Sequence, residues 1–152
     1  MTNNDTLRRL RYALNINDTQ VAETIGLTGR PTTPEEVVAW LKREDEDGYA
    51  DLSHELLCRF LDGLIIEKRG PHPSGNIPKP QEFLTTNEML KKLRIALNLK
   101  EDGVLTIFQK VDFVVTKAEL GSFFRKEGHR NYRKCPEQVL RKFIQGLSIR
   151  AA

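Results

Sequence analysis

A chain of 152 residues that is 39% hydrophobic and 30% charged has globular composition, and its length suits one ordinary domain or two small ones. It holds no run of about 18 apolar residues, which argues against a membrane-spanning helix, and its polar start, MTNNDTLRRL, lacks the apolar stretch of a signal peptide. Two cysteines, Cys58 and Cys135, are too few for a disulfide scaffold and have no metal-ligand spacing, so they read as reduced thiols of a cytoplasmic protein.

The predicted elements are all helical. The first runs from about Asp5 to Leu14, with Leu7, Leu10 and Leu14 on one stripe and Asn4 as its N-cap. The second starts near Asn17, which can cap it with Gln20 completing a capping box, while Ile16 can staple onto Val21. The third is marked by the box Thr33–Glu36 with Pro34 at the first helical position, and it turns Val37, Trp40 and Leu41 inward. The fourth spans roughly Ser53 to Glu67, with Leu57, Phe60 and Leu64 facing the core. Then comes RGPHPSGNIPKPQ at 69–81, a proline-rich extended connector that places the domain boundary near residues 70–82.

Beyond the connector the same set returns at a constant offset of 83. Identities recur in that register without a gap, among them Asn4/Asn87, Arg11/Arg94, Thr33/Thr116, Tyr49/Tyr132, Phe60/Phe143 and Gly63/Gly146. The second copy keeps the box as Thr116–Glu119 and the staple as Leu99 and Val104, but loses the cap of its second helix to Lys100. Glycine inside the fourth helix of both copies, at about 1 kcal/mol against alanine, points to a close helix approach. The architecture expected is therefore an all-α tandem duplication of a four-helix module. Its first repeat is 1–69, its linker 70–82 and its second repeat 83–152. One such module alone would bury only about 60% of its unfolded surface, so the two should pack as a pseudo-symmetric pair.

The runs NDTLRRLRYALN, VAWLKREDEDGY and FLDGLIIEKRG, with NEMLKKLRIALNLKEDGVLTIF and CPEQVLRKFIQGL, resemble the YehS-like family of uncharacterised bacterial proteins with a duplicated domain of unknown function. The resemblance covers nearly the whole chain, linker included. It implies a bacterial cytoplasmic protein, but no activity and no functional residue.

No catalytic constellation stands out. His54, His72 and His129 are scattered without zinc-site spacing, and there is no phosphate loop, GxSxG or Cys–His arrangement. The loop EDEDGYAD fails as a calcium loop, since Arg43 would fall at its first position and His54 at its twelfth. The run TQVAETIGLT has the flavour of a helix-turn-helix, but the next helix starts too late, at Thr33. A core-facing Ala22 and a left-handed cap at Gly26 read better. No cofactor or metal is called for, and the expectation is a protein that binds rather than catalyses.

What differs between the copies is charge. Residues 1–76 hold nine basic and thirteen acidic side chains, whereas 77–152 hold fifteen and eight. The contrast is sharpest at equivalent positions, with three basic and six acidic residues in 42–59 against seven and two in 125–142. The basic set is Arg125, Lys126, Arg130, Arg133, Lys134, Arg141 and Lys142. Three readings compete for it: a solvated face without a partner, a surface for RNA or DNA, and protein–protein association, including self-association of the opposite-charge faces. A head-to-tail contact of that kind would be heterologous. Arg11 with Glu44, and Arg94 with Glu127, are retained in both copies and suggest a structural inter-helix ion pair.

Overall fold

The computed structural model describes residues 1–149, and these form eight α-helices with no strand. They are α1 (Asn3–Leu14), α2 (Asp18–Gly26), α3 (Pro34–Leu41), α4 (His54–Arg69), α5 (Thr86–Ala96), α6 (Glu101–Gln109), α7 (Lys117–Phe124) and α8 (Glu137–Ser148). α1 to α4 make the first repeat and α5 to α8 the second.

Local chemistry sets the boundaries. Asn17 and Gln20 close a reciprocal capping box on α2, as do Thr33 and Glu36 on α3 and Thr116 and Glu119 on α7. α6 begins at Lys100 with no side-chain cap, as the loss of the asparagine implies. α1 and α5 end on Asn15 and Asn98, both left-handed at φ 54° and 53°, a conformation that asparagine tolerates better than most residues. The second helix does not end as expected. Gly26 is not left-handed; the chain continues right-handed through Leu27 and turns at Gly29, where φ is 89°. Asp112 takes that place in the second repeat, at φ 52°.

A further correction concerns Asn4 and Asn87. Neither caps a helix. Thr2 and Thr85 are the N-caps, each closing a box, with Asp5 and Glu88 respectively. Asn4 lies buried in the first turn, where its amide donates to the carbonyls of Trp40 and Ala50, both at 2.9 Å, and accepts from the N–H of Leu52 at 3.0 Å. Asn87 repeats this with Phe123, Arg133 and Cys135 at 3.1, 2.8 and 2.8 Å. One buried side chain thus satisfies three backbone groups at the end of the third helix and in the loop after it.

The apolar stripes meet as expected. Leu7, Leu10, Val21, Ile25, Val37, Leu57 and Phe60 are inaccessible, and so are their equivalents Leu90, Leu93, Val104, Phe108, Leu120, Leu140 and Phe143 to within 1%. Gly63 lets α4 press on α2, since a Cβ there would overlap the Thr24 carbonyl; Gly146 does the same for α8 against Ile107, the equivalent of Thr24.

The repeats pack through an exchange. α1 lies along α8 and α5 along α4, so the opening helix of each repeat seats mainly on the closing helix of the other. The two seams are related by a pseudo-two-fold axis, which makes the pair pseudo-symmetric. They are not chemically equal. Across α4 and α5, the buried Asp62 carboxylate meets the Lys92 ammonium at 2.6 Å. There too the connector docks, the Gln81 N–H lying 3.5 Å from the Cys58 sulfur. At the other seam the positions of Asp62 and Lys92 hold Gln145 and Arg9.

Candidate interaction site

Two loops carry the charge contrast, residues 42–53 between α3 and α4 and residues 125–136 between α7 and α8. Their backbones are twins. In the first, the N–H groups of Glu46, Tyr49 and Ala50 donate to the carbonyls of Arg43, Glu46 and Ala39; in the second, those of His129, Tyr132 and Arg133 donate to Lys126, His129 and Ser122. Together with the buried asparagines, these bonds fix both loops in one shape, so sequence changes between them act on the surface and leave the scaffold alone.

The side chains then diverge. In the first loop the charges are partly settled internally, with Arg43 3.3 Å from Glu46 and the Lys42 ammonium donating to the Asp47 carbonyl at 2.8 Å. In the second loop Arg125, Lys126, Arg130, Arg133 and Lys134 are all exposed, and none pairs with a described carboxylate. The other two cations singled out by sequence, Arg141 and Lys142, lie apart on α8 and are half-buried, so the face resolves into a five-cation loop flanked by a helix.

The two tyrosines report the same switch. The Tyr49 hydroxyl donates to the Asp51 carboxylate at 2.8 Å, and this hydrogen bond pushes its pKa up to about 12. The equivalent of Asp51 is Lys134. Tyr132 is raised as well, but by burial first and the Glu127 charge second.

The retained ion pairs are not formed. Arg11 bonds Asp18 at 2.9 Å instead of Glu44, reaching across the turn into α2. Arg94 donates to the Leu99 carbonyl at 3.0 Å and stacks over Phe124 at 4.5 Å, leaving Glu127 exposed in its loop. Both arginines brace the turn between the first two helices of their repeats, which accounts for their retention without the glutamates.

Sequence reasoning missed a cleft of about 1010 Å³ where the two repeats meet. α1, α4, α5 and α8 all begin around it, so Thr2, Thr6 and His54 face their own equivalents Thr85, Met89 and Glu137 across the pseudo-two-fold axis. The bonds that close it are equivalent too. The Leu84 N–H lies 3.3 Å from His54 Nδ1, and the Met1 amine pairs with Glu137. Glu127, Tyr132 and Lys134 of the basic loop form part of the wall. Phe83 stands on the rim, 69% exposed, its ring 5.0 Å from that of His54. The one signal for this site in the sequence is the identity of Thr2 with Thr85.

Neither cysteine is activated as a nucleophile. Both cysteines are buried and unpaired; burial raises the Cys58 thiol and pushes the Cys135 thiol up to about 12, far from thiolate chemistry. Among the described residues no three His, Cys, Asp or Glu side chains group as metal ligands, and no helix is long and apolar enough to cross a membrane.

Comparison with known proteins agrees with the duplication. A family described as a protein of unknown function, DUF1456, matches twice, over residues 3–70 and 86–151. The uncharacterized protein YehS of Escherichia coli (strain K12) is 39% identical over 150 residues, covering 99% of this chain and 96% of its own length. No solved structure matches. A twofold match over most of the chain, together with a relative aligned over nearly its whole length, shows that this protein belongs to the DUF1456 family of duplicated helical modules.

Proposed function

We propose that the protein is a non-catalytic binding module, working in the cytoplasm, that takes an acidic partner on the basic loop of its second repeat. One observation carries this reading. In a loop whose backbone is the same in both repeats, the second copy displays five exposed cations without a described carboxylate to pair with, where the first carries two cations among five carboxylates. Exposed like charges held on a fixed backbone raise the local potential and draw in counter-charged surfaces.

The test uses heparin as a generic polyanion. Retention on a heparin column should fall with salt and should drop for the combined variant Arg130→Ala, Arg133→Ala, Lys134→Ala. Equal retention of variant and wild type would sink the proposal. Nucleic acid is one class of acidic partner, and fluorescence anisotropy with RNA and duplex DNA addresses it. Binding through this loop would weaken linearly on a log–log salt plot as counterions are released.

A further inference from the structure

The two loops stand at the same end of the molecule. Each leads directly into a helix that begins at the cleft, α4 after the acidic loop and α8 after the basic one. Each is also tied by its buried asparagine to the first turn of a helix that begins there, α1 or α5. Because they are pseudo-two-fold equivalents, they lie on opposite sides of the axis, with the cleft between them. This end therefore presents an acidic flank, a central cleft with exposed Phe83 on its rim, and a basic flank. A less polar centre between charged margins is the general anatomy of a protein interface.

We infer that the partner of this end is a second copy of the same chain, docked so that the acidic loop of each molecule faces the basic loop of the other. The inference rests on the binding reading above and names its partner. Its geometry follows from the pseudo-symmetry. Turning the second copy about a two-fold axis perpendicular both to the pseudo-axis and to the line joining the two loops brings acidic against basic on both sides at once. The contact is then isologous and closes as a dimer. A contact through one pair alone, the head-to-tail case, would leave the other unsatisfied and grow into chains, whereas placement of both loops at one end allows the closed form.

The observations favour this partner over nucleic acid. The basic loop holds no exposed Phe, Tyr or Trp for base stacking. Tyr132 is half-buried in the cleft wall, and its twin Tyr49 occupies the same place in the acidic loop.

The experiment is sedimentation velocity on the full chain across a range of concentrations at low and high salt. The expected result is a concentration-dependent monomer–dimer equilibrium that stops at the dimer and shifts to monomer with salt, because exposed pairs are screened over about 8 Å at physiological ionic strength. Reversing the acidic loop (Asp45→Lys, Glu46→Lys, Asp47→Lys) or the basic one (Arg130→Glu, Arg133→Glu, Lys134→Glu) should weaken self-association by at least about tenfold. Mixing the two variants should then restore a one-to-one heterodimer, since every facing pair is again of opposite sign. Phe83→Glu supplies a second route to the monomer that leaves both loops intact, and thermal melts confirm that each variant is folded.

A protein that stays monomeric at low salt overturns the inference, as does a dimer indifferent to both reversals, or assembly that runs on beyond two. A monomer that nonetheless binds heparin through the basic loop leaves the binding reading standing and removes only the second copy. If RNA or DNA binds that monomer through the same residues, nucleic acid takes its place.

Discussion

The loops 42–53 and 125–136 share every backbone hydrogen bond described above and the charges of their first three positions, but beyond those their charges diverge. The difference separates what folding demands from what it leaves free. Folding demands an asparagine at one buried position and a donor–acceptor pattern along the chain. It is indifferent to whether Asp47 or Arg130, Asp51 or Lys134 projects from that frame.

The comparison breaks first if the frames are not equivalent. Asn4→Ala leaves two carbonyls and an N–H without partners, and Asn87→Ala does the same; at about 1–3 kcal/mol per orphaned group, each should cost about 3 kcal/mol or more by chemical denaturation. The two losses should agree within about 1 kcal/mol if the loops are scaffolded alike. A large inequality would mean that the charged side chains contribute to holding one loop.

Gly63→Ala and Gly146→Ala come next. Each forces the fourth helix of its repeat away from a facing carbonyl and should cost about 2 kcal/mol, as overpacking commonly does. A smaller gain is expected from Lys100→Asn, which restores to α6 the cap that Asn17 gives α2; it should raise stability by about 1 kcal/mol, readable as a higher melting temperature.

The smallest effect is a titration. The folded state holds the Tyr49 phenolic proton more tightly than the unfolded chain does, so the Asp51 hydrogen bond is fully present below pH 10 and is lost as the pH climbs through about 12. Ultraviolet titration should show Asp51→Asn bringing Tyr49 down, and Lys134→Asp pushing Tyr132 up.

Much of this molecule can be read from its sequence because two copies check each other. Three of the capping boxes, the two helical glycines and the core stripes all stand where their spacing places them. Asn4 misled for a physical reason: asparagine near a helix start has two uses, capping and tying down a neighbouring loop, and spacing alone does not distinguish them. The box between Thr2 and Asp5 was the better signal, and Thr85–Glu88 repeats it. The Arg11–Glu44 pair misled in another way, since retention of two charges in both copies does not require that they touch. The cleft was invisible because it forms where four helix starts converge from distant parts of the chain.

The exchanged packing of opening and closing helices has a consequence for how these surfaces could diverge. A single repeat expressed alone would expose the seam it now buries and would meet its own double there as a symmetric pair. In such a pair one gene writes both loops, so any substitution appears on both flanks and the two remain alike in sign. Joining the repeats by the connector removes that bond between positions: each loop answers to its own codons while the shared core stays fixed. An acidic flank opposite a basic one is a pattern that a homodimer of one repeat cannot encode, and the fused chain can.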